Sequence, residues 1–119
     1  MGSDNRKIFS VHIPHYLAKG ARDLAEKDGS RLATLIRFLL AEAVRTGKYP
    51  ANIPPKNARG ELLVTVSVAV SPDLAEATKE ILKRLGGVSA SSFVTALLRD
   101  WLDKRMKTNN GSGALHVVQ

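Results

Sequence analysis

The chain carries one pattern twice. Residues 7–44 (KIFSVHIPHYLAKGARDLAEKDGSRLATLIRFLLAEAV) and 64–102 (VTVSVAVSPDLAEATKEILKRLGGVSASSFVTALLRDWL) each run an alternating segment, an amphipathic stretch, a glycine and a second amphipathic stretch. Leu17, Leu24 and Ala25 recur about 57 positions on as Leu74, Ile81 and Leu82, and Gly29 recurs as Gly86. Beyond the glycine the offset is about 58, with Leu35, Ile36, Leu39 and Leu40 answering to Phe93, Val94, Leu97 and Leu98, so one residue is inserted near Gly87. A unit of roughly 40 residues rarely completes a core without disulfides, metal or a partner. The other copy is the available partner, so the expectation is two repeats sharing one core.

Alternation sets the strands. Phe9, Val11 and Ile13 form one face of the first, with Ile8, Ser10 and His12 on the other; in the second, Val64, Val66, Val68 and Val70 oppose Thr65, Ser67 and Ala69. Pro14 and Pro72 end these runs and suit a helix's first turn, where an N–H has no intrahelical partner, and Ser71 is placed to cap the second copy. Helix A is expected over about His15–Lys27, with Leu17, Ala21, Leu24 and Ala25 on its apolar stripe; Leu74, Thr78, Ile81, Leu82 and Leu85 are the later equivalents. Gly20 lies inside helix A, where it costs about 1 kcal/mol relative to alanine unless close packing requires it. Gly29 and Gly86 or Gly87 supply left-handed stops. Helix B carries Leu32, Leu35, Ile36, Leu39, Leu40 and Ala43, then Phe93, Val94, Leu97, Leu98, Trp101 and Leu102, an apolar face wide enough for the centre of the core.

The expected fold class is therefore mainly α with a two-stranded antiparallel β-ribbon. The repeats are expected over 6–47 and 63–107, joined by a linker over 48–62 that holds three prolines and no periodicity, and followed by a disordered tail over 108–119.

The net charge of +7 favours a polyanionic partner, because a basic surface gains from long-range attraction and counterion release. Aromatic residues are only 5%, too few for single-strand binding by base stacking. There is no cysteine, and no stretch approaches the roughly 20 apolar residues of a membrane span, so a cytoplasmic protein without membrane partners is expected. His12, His15 and His116 lack companions at ligand spacing, so no metal and no cofactor is expected. Ser89, Ser91 and Ser92 have no histidine base in their motif, and the glycine pair Gly86 and Gly87 stops a helix instead of opening a phosphate loop; no enzymatic activity is expected.

The order strand, helix A, glycine, helix B, carried by FSVHIP and VSVAVSP, by DGSRLATLIR and GGVSASSFV, and by the apolar periodicities, resembles the ribbon-helix-helix family of DNA-binding proteins. This group includes the Arc, methionine and plasmid copy-number repressors. Here the resemblance covers about two thirds of the chain and takes a tandem, single-chain form similar to that of a conjugation protein. It implies two strands paired as an antiparallel ribbon that enters the major groove of double-stranded DNA, with four helices behind. The implied base readers are Ile8, Ser10, His12, Thr65, Ser67 and Ala69. These are short side chains where relatives often carry arginine, lysine, glutamine or asparagine, so phosphate contacts and DNA shape have to supply more of the binding. The implied phosphate contacts are Arg6 and Lys7 before the ribbon, Ser30, Arg31 and Leu32 at one helix B start, and Ser89, Ala90 and Ser91 at the other.

In function, the resemblance implies a sequence-specific transcriptional repressor. An alternative is a relaxosome accessory protein at a plasmid transfer origin, with self-association on DNA and a relaxase or other DNA-processing protein as partners. An antitoxin is disfavoured by a short tail after Lys107 that is poor in apolar residues.

Overall fold

The computed structural model describes residues 7–50, 53 and 62–118, with side chains through Arg105. Its element order is β1 (Lys7–Pro14), α1 (His15–Lys27), α2 (Leu32–Thr46), β2 (Leu63–Val70), α3 (Pro72–Arg84) and α4 (Ala90–Val118). Among the described residues the protein is mainly helical, with one two-stranded antiparallel sheet. Most of the linker expected over 48–62 lies outside the described residues, whereas α4 continues as helix to Val118 over the segment expected as a disordered tail, 108–119.

The ribbon is made within the chain. β1 runs antiparallel to β2 with Ser10 opposite Ser67, Val11 opposite Val66 and His12 opposite Thr65. Alternation then sorts the side chains as the sequence pattern requires: Val11, Ile13, Val68 and Val70 are buried, Phe9, Val64 and Val66 half-buried, and Ile8, Ser10, His12, Thr65 and Ser67 exposed. A one-residue slip would turn the apolar set to solvent, so burial of one face fixes the register.

Both first helices of each half stop by the same device. Gly29 at φ 76° and Gly86 at φ 93° occupy the left-handed region that a side chain disfavours. Around each, paired backbone bonds close a Schellman motif: Gly29 N–H to Glu26 O at 2.9 Å with Ser30 N–H to Ala25 O at 2.8 Å, and Gly86 N–H to Lys83 O with Gly87 N–H to Leu82 O, both at 3.0 Å. Ser71 caps α3, its hydroxyl accepting from Leu74 N–H at 3.1 Å, with Pro72 in the first turn. Pro14 corrects the expectation made for it: it closes β1 opposite Leu63 and stands at the N-cap of α1 without a side-chain bond. The cause is the next residue, whose N–H donates to Leu62 O at 2.8 Å and so prolongs strand pairing to the helix start.

One apolar cluster joins β1, α1, α2, β2, α3 and α4, with Leu17, Ile36, Leu40, Val68, Phe93 and Leu98 among its most buried members. α4 is its most enclosed helix, with every residue of 93–98 buried. Small residues face inward on the first helices: Ala18, Ala21 and Ala25 on α1 and Ala75 on α3 are buried, whereas Leu24 and Leu74 are only half-buried. This rotation draws the helices close. A Cβ on Gly20 would stand 3.3 Å from Leu102 Cδ2, so that glycine sits at the contact of α1 with α4.

One core position is mismatched. Thr78 is 1% exposed and its Oγ1 has no hydrogen-bond partner among the described residues. A buried hydroxyl without a partner costs roughly 1–3 kcal/mol, and valine has nearly the same shape. T78V is expected to raise stability by about 1 kcal/mol, read as a higher urea midpoint at unchanged slope. A lower midpoint would mean that the hydroxyl is satisfied.

Candidate nucleic-acid interface

The outward face of the ribbon is a strip of three cross-strand pairs: Ile8 with Ala69, Ser10 with Ser67, and His12 with Thr65. Sheet pleating aims all six side chains the same way. Ile8 is 67% exposed, a large apolar side chain held in solvent by its register, and Ala69 beside it is half-buried. Ser10 and Ser67 place two hydroxyls at the centre of the strip, each able to donate and accept. At the far end His12 Nδ1 lies 3.0 Å from Thr65 Oγ1, which orients the imidazole across the ribbon and leaves Nε2 as its other polar atom.

A two-stranded ribbon leaves unpaired backbone groups along both outer edges, and such edges invite pairing with foreign strands unless covered. Helices cover both here, α4 packing along β1 and α2 along β2. On the β1 side Ser91 Oγ accepts the His12 backbone N–H at 2.9 Å. On the β2 side Arg37 Nη1 reaches to within 3.5 Å of Ala69 O. The start of α4 is thus tied directly to the ribbon, where its positive dipole end and free N–H groups favour an anion.

The two second-helix starts differ in their caps. Ser89 caps α4: its hydroxyl accepts from Ser92 N–H and donates to Ser92 Oγ, both at 3.1 Å. Ser30, named above as a phosphate contact at the other helix start, does not cap α2. Its N–H is used in the Schellman bond to Ala25 O, and α2 begins one residue later with extended Arg31 at the N-cap and no side-chain cap bond. The inserted residue after Gly86 makes the difference, since Gly87 closes the Schellman motif in the second half and leaves Ser89 free to cap. Arg31 is exposed with its backbone at the helix end, while the Leu32 side chain is buried, so only the Leu32 N–H is available to an anion. Ala90 and Ser91 likewise offer backbone, the Ser91 hydroxyl being committed to His12. Lys7, expected before the ribbon, is instead the first residue of β1, opposite Val70 and exposed; Arg6 lies outside the described residues.

Two features of this face were not read from the sequence. Arg37 is the one charged residue within the apolar run from Leu35 to Ala41, and its position beside β2 follows from the packing of α2, which no local pattern contains. The Ser91 hydroxyl serves the ribbon backbone, a role that needs the tertiary fold to be seen.

Elsewhere a groove of about 270 Å³ lies between the α1–α2 turn and α4, lined by Asp28, Thr34, Leu35, Phe38, Trp101 and Arg105 among others. Trp101, expected in the core, is half-buried at its wall, with the Arg105 guanidinium 5.1 Å from the ring centroid and bonded to Asp28 at 3.1 Å. Among the described residues no group of three or more His, Asp or Glu side chains is placed to hold a metal, and no helix is long and apolar enough to cross a membrane. No family model, curated protein or solved structure matches this chain.

Proposed function

We propose that this chain binds double-stranded DNA sequence-specifically, inserting its β-ribbon into the major groove, and acts as a transcriptional repressor. In this reading the chain is a tandem ribbon-helix-helix protein whose two repeats share one core. The observation that carries it is the outward strip of the ribbon, held exposed by burial of its other face and bounded along both edges by helices. A two-stranded ribbon is of a width that the major groove admits, and each base pair presents a distinct pattern there. The net charge of +7 supplies the attraction to phosphate. Ile8, Ser10, His12, Thr65, Ser67 and Ala69 are the base readers of this proposal; Lys7, Arg31 and the N–H groups at the starts of α2 and α4 hold the backbone.

Fluorescence anisotropy with labelled duplexes over a range of salt tests the proposal. The binding constant is expected to fall linearly on a log–log plot, and R31A to weaken binding to all duplexes and reduce the salt slope by about one ion. An absence of salt-dependent duplex binding overturns the proposal. A loss confined to particular sequences would move Arg31 from phosphate contact to base reading.

A further inference from the structure

The ribbon is centred on a pair of counterparts. Ser10 and Ser67 correspond in the sequence repeat and also face one another in the register. About that centre, the counterparts Ile8 and Thr65 lie at opposite ends of the strip, as do His12 and Ala69. A ribbon made of two identical strands would therefore have two identical ends. This one does not. Ile8 and Ala69 make one end apolar, whereas His12 and Thr65 make the other polar and hydrogen-bonded to each other at 3.0 Å.

The flanks are unequal in the same sense. Arg37 reaches the apolar end at Ala69 O, while its sequence counterpart Thr95 is buried at 7% exposure. Ser91 serves the polar end through the His12 N–H, and its counterpart Ala33 has no hydroxyl to do so. One end thus combines apolar surface with a guanidinium, and the other combines an imidazole with a hydroxyl.

Building on the reading of this face as a DNA interface, we propose that one chain docks on a non-palindromic duplex site in a single orientation. The Ile8 and Ala69 end lies over thymine methyl groups, with Arg37 on the adjoining phosphates. The His12 and Thr65 end lies over a base pair that offers acceptors. When Thr65 donates to Nδ1, the neutral ring carries its proton on Nε2 and presents a donor suited to guanine N7 or O6. The central serines read whichever pair lies between.

The test uses a substitution pair that the repeat itself suggests. I8T/H12A gives the first strand the same outward residues as the second, which makes the strip symmetric. Selection of bound duplexes from a random pool is carried out with the unmodified chain and with I8T/H12A, each checked for unchanged circular dichroism. The unmodified chain is expected to enrich an asymmetric motif, thymine-rich at one end and guanine-containing at the other, and to prefer it about tenfold or more over an inverted repeat of either half. I8T/H12A is expected to enrich an inverted repeat. A palindromic motif from the unmodified chain, or the same asymmetric motif from both proteins, overturns the proposed orientation while leaving DNA binding in place. Enrichment of no duplex by either protein overturns the interface itself.

Discussion

The S10E/S67E chain is expected to lose duplex binding by at least about a hundredfold while keeping its helical circular dichroism. The two serines face each other at the centre of the exposed strip. Carboxylates placed there would stand against phosphates and acceptor-rich base edges, and opposed like charges across an interface cost several kcal/mol. Within the protein the cost is small, because both positions are solvent-exposed and like charges opposed across a ribbon cost only roughly 0.2–1 kcal/mol. S10Q/S67Q separates bulk from charge: the neutral pair is expected to lose sequence preference and retain salt-dependent binding to any duplex. Full affinity in S10E/S67E would remove the ribbon from the interface.

The second large effect concerns the core. Phe93, the largest fully buried side chain, is 1% exposed at the start of α4's enclosed run, and its ring meets Tyr49 edge-on with centroids 5.6 Å apart. F93A removes that surface and leaves a cavity whose walls belong to several elements. Truncations of this kind cost about 3–5 kcal/mol, a large part of the 5–15 kcal/mol that a small domain has. The urea midpoint is expected to fall accordingly, and duplex binding to be lost only where the chain unfolds. A loss below about 1 kcal/mol would show that Phe93 does not support the core.

What the sequence revealed depended on whether geometry or competition decided each residue. Strand alternation is fixed by the pleat, so the inward and outward sets were legible before any fold was known. The glycine stops were legible for a similar reason, since positive φ has few takers among the residues. The cap of α2 was not. Serine at 30 has a side chain suited to a cap, yet it closes the Schellman motif of α1 and so stands one residue before the α2 N-cap, which falls on Arg31. Pro14 was misplaced because strand pairing at Leu62 extends the ribbon to the helix start, a long-range bond that no local pattern contains. The inward rotation of Ala18 and Ala75 also lay beyond a hydropathy count, which favours leucines over the small residues that permit close approach. On the candidate face, the outward placement of the six residues followed from period two, five of them exposed and Ala69 half-buried, while the Arg37 and Ser91 contacts required the packing of α2 and α4.

Because β1 and β2 lie on one chain, their pairing is a first-order event. A ribbon assembled from two separate molecules falls apart on dilution and its occupancy of a target rises with the square of protein concentration at the low end; a tethered one has a fixed effective concentration of its partner strand. The outward strip is then complete in a single molecule. Under the proposed function, occupancy of a duplex site is expected to track copy number linearly, and the thermal midpoint to hold constant across a roughly hundredfold dilution.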